Sequence, residues 1–216
     1  MTSPATIAPD PCVFLVDDDA AVLKSLSRLL RSAGFATATY SSPRDFLERH
    51  DVNAPGCLVL DVAMPGLNGL QLQQELATRG QPRAIVFLTG HGDIPMSVQA
   101  MKEGAVDFLT KPVKDQDLLA AVRQAIAKDG LLRQARAEIA DIRERLATLT
   151  PREHEVMEEV VAGQLNKQAA DRLGIAEKTV KVHRARVMEK MKVHSVADLV
   201  RLVERARPDA AAPGGA

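Results

Sequence analysis

Three short runs in which every residue is apolar, Val13–Val16, Cys57–Leu60 and Ala84–Leu88, constrain the fold most. A strand covered on one face alternates apolar and polar residues, whereas a strand apolar throughout needs packing on both faces, the situation of parallel sheets. Amphipathic segments alternate with these runs. Candidate strands are Cys12–Asp17, Phe35–Tyr40, Cys57–Asp61, Arg83–Leu88 and Val106–Leu109. Candidate helices are Ala20–Ser32, Pro43–Arg49, Leu67–Thr78 and Ile94–Glu103, with a fifth beginning near Asp115. Gly34 and Gly104 close the first and fourth. This alternation predicts an α/β unit with a mainly parallel sheet between two helical layers.

In such sheets ligands bind at the carboxyl ends of the strands. Asp17, Asp18 and Asp19 end the first candidate strand, Asp61 ends the third, Thr89 follows the fourth and Lys111 closely follows the fifth. Taken singly, these are a helix cap, an ordinary strand residue and a Lys-Pro turn. Taken together they lie along one edge. Clustered carboxylates repel unless a cation sits among them, and a few hard oxygens with room for water suit Mg²⁺. A divalent ion, a lysine to neutralise phosphoryl oxygens, a threonine hydroxyl to bond one of them and an aspartate to attack in line make a phosphoryl-transfer site.

Beyond Asp115 the pattern changes. Leu132, Ala135, Ile139, Ile142, Leu146 and Leu149 recur at steps of three and four, a heptad seam. Two readings stand: a helix laid on one domain, or a short parallel coiled coil joining two chains. Gly130 weakens helix continuity there. Four further helices are expected at Pro151–Ala162, Asn166–Leu173, Glu177–Met191 and Ser195–Ala206, with Thr150 and Glu153 forming a capping box. Gly174-Ile175-Ala176 would be the turn of a helix-turn-helix. Val180, Val187 and Met191 share an inward face of its second helix, leaving Lys181, Val182 and Ala185 outward.

Charge divides the same way. The chain is neutral overall, yet residues 1–127 hold 11 basic against 14 acidic side chains and residues 149–207 hold 12 against 9. Lys178, Lys181, Arg184, Arg186, Lys190 and Lys192 face only Glu189 within their stretch. A basic helix in this setting suits a DNA groove, and a bundle that binds protein is the alternative. A length of 216 residues suits two domains. No apolar run reaches the roughly 18 residues of a membrane span and no leader pattern opens the chain, so a cytoplasmic location is expected. Cys12 and Cys57 read as small buried thiols. The head 1–10 and the tail 208–216 are rich in Pro, Ala and Gly and are expected to lack fixed structure.

The segments VDDD (16–19), LDVAMPGLNG (60–69), FLTGHGD (87–93) and GAVDFLTKP (104–112) resemble the signature blocks of response-regulator receiver domains. LTPREHEVM (149–157), GQLNKQAADRLGIAEKTVKVH (163–183) and VMEKMKV (187–193) are similar to the four-helix DNA-binding domain of the LuxR/NarL type. The combined architecture is similar to FixJ and its relatives. The resemblance implies a doubly wound five-stranded parallel sheet of the flavodoxin-like receiver type at 11–128. A helical linker at 129–148 and an all-α helix-turn-helix domain at 149–207 would follow.

It further implies that Asp61 accepts a phosphoryl group from a sensor histidine kinase. Mg²⁺ would be held by Asp17, Asp18, Asp61 and the Ala63 carbonyl. Lys111, before a cis Pro112, would hold the phosphoryl group, and Thr89 and Phe108 would form the switch pair. Lys181, Val182 and Ala185 would approach base edges, while Asn166, Lys167, Lys178, Thr179 and Arg184 contact phosphates. Partners would be a second copy on phosphorylation, an imperfect inverted repeat in double-stranded DNA, and RNA polymerase; activation of transcription is the expected outcome. His91 is read as a rim residue, either simply exposed or guiding water to the phosphate. His154 and Ala169 depart from the family pattern, the latter predicting looser packing. The rival is a phosphate sink whose rear bundle binds protein. The dimer surface stays open between the linker seam and the receiver's fourth and fifth helices.

Overall fold

The computed structural model describes residues 10–90 and 94–207, so His91 and the ends 1–9 and 208–216 lie outside the described residues. The chain divides into two compact units, one ending at Leu132 and the other beginning at Arg133.

The first unit carries β1 (Cys12–Val16), α1 (Ala20–Ser32), β2 (Ala36–Tyr40), α2 (Pro43–Arg49), β3 (Gly56–Asp61), α3 (Gly69–Thr78), β4 (Ala84–Thr89), α4 (Ile94–Lys102), β5 (Asp107–Thr110) and the start of α5 (Asp115–Ala147). All strand pairs are parallel, in the order β2-β1-β3-β4-β5. Successive side chains of a strand point to opposite faces, and here both faces are buried. Val13, Leu15, Val59, Val86 and Leu88 pack with Leu23, Leu30, Leu118 and Val122 from α1 and α5. Phe14, Val16, Leu58, Leu60, Ile85 and Phe87 pack with Phe46, Leu72, Leu76 and Ala100 from α2, α3 and α4. This two-sided cover explains the unbroken apolar runs; truncating one such leucine to alanine costs about 2–5 kcal/mol.

Element edges move by one or two residues, for local reasons. α3 starts at Gly69 rather than Leu67 because Asn68 caps it: Asn68 Oδ1 accepts from the Gln71 amide and Gln71 Oε1 from the Asn68 amide, each at 2.9 Å. β1 stops at Val16, and Asp19 Oδ1 caps α1 by accepting from the Ala21 amide at 2.7 Å. Arg83 precedes β4 instead of opening it, and its guanidinium donates to the carbonyls of Asp51 and Ala54 at 2.5 and 2.9 Å. Gly56 has φ +135°, and a Cβ there would lie 1.8 Å from the Cys12 carbonyl oxygen, so the β1–β3 pairing demands glycine. Cys57 is buried, and burial pushes its thiol up to about 12; Cys12 is only half-buried.

α5 runs through Gly130 without a break, contrary to the local propensity. Its distal part belongs to the second unit with α6 (Pro151–Val161), α7 (Asn166–Leu173), α8 (Glu177–Lys190) and α9 (Val196–Ala206). The heptad seam splits. Ile142 is 3% exposed, and Leu146 and Leu149 pack against the core formed by Val156, Met157, Val180, Val187, Met191, Leu199 and Val203. Leu132, at the other end of the seam, is 38% exposed. Arg145 donates to the Met191 carbonyl at 3.2 Å, and Glu138 pairs with Arg205 of α9. The distal seam is therefore a helix laid on its own domain, and the coiled-coil reading fails there. Ala169 is fully buried and His154 is exposed. No helix of the described residues is long and apolar enough to cross a membrane.

The expected capping box forms: Thr150 Oγ1 accepts from the Glu153 amide, and Glu153 Oε2 accepts from the Thr150 amide at 2.9 Å. The same oxygen lies 2.6 Å from Lys190 Nζ. The Lys190 contact, helped by the Thr150 amide, holds the Glu153 carboxyl down at about 2. A lowered folded-state value means that this contribution is complete above the ordinary carboxyl range and fades as pH falls from about 4.5 toward 2. We expect Glu153→Gln to melt below the wild type at neutral pH, and the gap to narrow as pH is lowered through that window. A gap independent of pH in thermal melts would show that the carboxylate charge is not what matters.

Candidate functional site

β1 and β3 are neighbours in register, with Val16 opposite Leu60, so the residues leaving their carboxyl ends meet. Ligating oxygens of Asp17, Asp18 and Asp61 lie within 4.8 Å of one another. Asp17 and Asp61 are 3% and 6% exposed, whereas Asp18 faces solvent. Lys111 reaches back from beyond β5, placing Nζ 2.6 Å from Asp17 Oδ2 and 3.2 Å from Asp61 Oδ1. Asp17 Oδ1 also accepts from the Asp19 amide at 2.9 Å, which fixes its rotamer. Asp61 Oδ1 has no hydrogen-bond partner despite its burial, since the Lys111 contact is an ion pair without hydrogen-bond geometry.

Electrostatics follow from this packing. Burial pushes the Asp61 carboxyl above its usual range; the Lys111 charge offsets part of the rise and the Asp17 charge adds to it. Burial pulls the Lys111 ammonium down, but the hydrogen bond and charge of Asp17, with Asp61 behind them, hold it above its ordinary value. A buried carboxylate oxygen lacking a donor, within reach of two more carboxylates, is the donor set of a hard divalent cation, so the residues fit Mg²⁺.

Ala63 is exposed in the turn after β3. At Gly69 a Cβ would come within 2.5 Å of the Asp61 carbonyl oxygen, so the start of α3 can lie beside the site only as glycine. Thr89 ends β4, is 1% exposed, and its carbonyl accepts from the Lys111 amide at 2.7 Å. The Lys111–Pro112 bond is cis, as expected. Phe108 on β5 is half-buried, with its ring 6.0 Å from that of Phe87. The fold thus joins Asp17, Asp18, Asp61 and Lys111 in direct contact range and ties Thr89 to Lys111 through the backbone. Phe108 stands apart, on the Phe87 side of β5.

In the second unit Gly174 adopts φ +64° and turns α7 into α8. Val180, Val187 and Met191 are buried, while Lys178, Thr179, Lys181, Val182 and Ala185 are exposed, as is Lys167 at the start of α7. Lys181 pairs with Glu177 at 2.9 Å. Arg184 and Asn166, expected as separate contacts, are bonded to each other: Arg184 Nη1 donates to Asn166 Oδ1 at 2.9 Å. Sequence reasoning passed over Leu165, which is 70% exposed at the N-cap of α7 with no side-chain cap; the absence of Ser, Thr, Asp or Asn there was the available signal.

A parallel α/β unit with this carboxylate and lysine edge, followed in one chain by a helix-turn-helix unit, is the layout of a two-component response regulator. The response regulator receiver domain model matches residues 13–123, and the model for bacterial regulatory proteins of the luxR family matches 147–203. The chain belongs to the response-regulator family, in the group that carries a LuxR-type DNA-binding domain. Nodulation protein W of Bradyrhizobium diazoefficiens is 48% identical over 89% of this chain and 85% of its own length. The transcriptional regulatory protein FixJ of the same organism is 43% identical over 90% of this chain and 95% of its own. Among solved structures, the response regulator StyR superposes with a TM-score of 0.79 at 47% identity, over 91% of this chain and all of StyR.

Asp61 is a desolvated carboxylate with an unfilled oxygen, so neutralising it relieves the folded state when no cation is present. In EDTA, Asp61→Asn should raise the melting temperature of the receiver by about 4 °C, the shift for roughly 1 kcal/mol in a unit of about 120 residues. Added Mg²⁺ should stabilise the wild type and leave the variant nearly unmoved. A variant that melts lower in EDTA, or gains as much from Mg²⁺, would contradict this account of the site.

Proposed function

We propose that the protein is a phosphorylation-controlled transcription activator of the cytoplasm. In this reading residues 11–128 are the receiver, 129–148 the linker and 149–207 the DNA-binding domain. The observation that carries it is the convergence of Asp17, Asp18 and Asp61 with Lys111 at one sheet edge, in a chain whose other unit exposes a basic helix.

Asp61 is the nucleophile toward the phosphohistidine of a sensor kinase. Asp17, Asp18, Asp61 and the Ala63 carbonyl would hold Mg²⁺, which when bound neutralises charge on the phosphoryl oxygens. Lys111 exchanges its pairing with Asp61 for the incoming phosphoryl group, keeping Asp17 as its anchor. Phosphorylation adds a charge of about −2. Thr89, tied to Lys111 through the backbone, closes on the phosphoryl group, and Phe108 moves inward behind it. Phe108 has no hydroxyl, so its two positions differ in packing alone.

The packing change creates a dimer surface on the receiver. Burial of Ile142, with Leu146 and Leu149 packed partly buried beside it in the second unit, supports the receiver rather than the distal linker as that surface. Two recognition helices then enter successive major grooves about 34 Å apart, so the target is an imperfect inverted repeat. Lys181, Val182 and Ala185 face the base edges; Lys167, Lys178 and Thr179 meet phosphates. Ala185 offers only a methyl contact, suited to thymine. Contact with RNA polymerase completes activation.

Sedimentation velocity with beryllofluoride and Mg²⁺, run beside gel shifts on genomic fragments at fixed salt, tests the reading. It predicts a dimer and tighter DNA binding on beryllofluoride addition, both abolished by Asp61→Asn. A monomer in both states that retains no fragment would instead identify a phosphate sink.

A further inference from the structure

Arg184 lies on α8 and Asn166 opens α7, and their side chains are joined by a single hydrogen bond of 2.9 Å between partly buried groups. A guanidinium can only donate, so the Asn166 atom facing it must be the carbonyl oxygen, which leaves the amide NH₂ as the Asn166 group not used in this bond. Among the described residues, Arg184 is the one side-chain partner of Asn166. The neighbours of Asn166 in sequence, Leu165 and Lys167, are exposed, and α7 begins without a side-chain cap.

We propose that Arg184 is a positioning residue. It locks the Asn166 amide in the orientation that donates to a DNA phosphate, and it does not itself form an independent phosphate contact. This rests on the DNA-binding reading above and changes the part played by one residue in it. A free asparagine amide rotates and presents oxygen or nitrogen with similar ease; an oxygen turned toward a phosphate repels it. Holding the amide by its oxygen removes that wrong orientation before binding. The same bond crosses from scaffold to recognition helix, so the phosphate contact of α7 and the base-facing side of α8 keep a fixed spacing.

The test is binding of the full-length protein to a short mixed-sequence DNA duplex at fixed low salt, followed by fluorescence anisotropy. Such a probe suffices because phosphate contacts are independent of sequence. Asn166→Ala and Arg184→Ala should each weaken binding by about fivefold, the worth of one hydrogen bond. The double variant should be no weaker than the weaker single one, whereas Lys178→Ala should multiply with each. Asn166→Asp keeps the Arg184 pair and the fold but turns a carboxylate oxygen outward, so it should bind more weakly than Asn166→Ala. Independent, multiplying effects of the 166 and 184 substitutions would overturn the proposal. So would Asn166→Asp binding as tightly as the wild type, which would make the bond a purely structural tie. Failure of the wild type and of all variants to bind any duplex would refute the DNA-binding reading itself.

Discussion

Two buried carboxylates, Asp17 and Asp61, leave adjacent strands at the same edge of the sheet, and one ammonium, Lys111, stands against both. Their mutual repulsion is tolerable only because that charge is present, and one ammonium cannot fully satisfy two desolvated anions. Asp61 Oδ1 stays without a hydrogen-bond donor. The edge is thus electrostatically incomplete in the protein alone, a set of carboxylates that could hold a metal ion. The scaffold around it is correspondingly rigid: β3 and β4 are buried at every position, and each strand end is held by apolar layers above and below.

Rigidity also defines the second unit. Its core draws in the end of α5, so the DNA-binding fold is larger than the four helices that follow residue 149. Glu153 joins two roles in one side chain: it accepts from the amide of Thr150, the N-cap of α6, and it pairs with Lys190 near the end of α8. That contact and the Arg145 bond to the Met191 carbonyl tie the C-terminal end of α8, and the Arg184 bond to Asn166 ties its middle to α7. A recognition helix so held presents its outer residues as a unit, and less ordering remains to be done on binding.

The seam from Leu132 to Leu149 illustrates how far periodicity reaches. Its spacing guaranteed an apolar stripe on a helix but said nothing of what would cover it, because a domain core and a second chain satisfy a stripe equally well. Ile142, Leu146 and Leu149 found the domain core, and Leu132 did not. Gly130 shows the converse: its propensity argued for a break, and a helix anchored by buried residues on either side of it, Ala125 and Asp129 before and Ile142 after, continued through it. Asn68 moved the start of α3 because its side-chain hydrogen bond to the backbone outweighed hydrophobic pattern at a terminus.

The α/β class, the helical rear half and the residues of the carboxylate edge were legible from the chain alone, since two-sided burial writes itself as unbroken apolar runs and ligand sites gather at the ends of parallel strands. Tertiary structure alone decided what those residues do to one another. Adjacency of β1 and β3 brings Asp17 against Asp61, the return of the chain after β5 sets Lys111 between them, and the packing of α8 on α7 bonds Arg184 to Asn166. Each of these is a contact between residues distant along the chain, and local pattern carries no record of such distances.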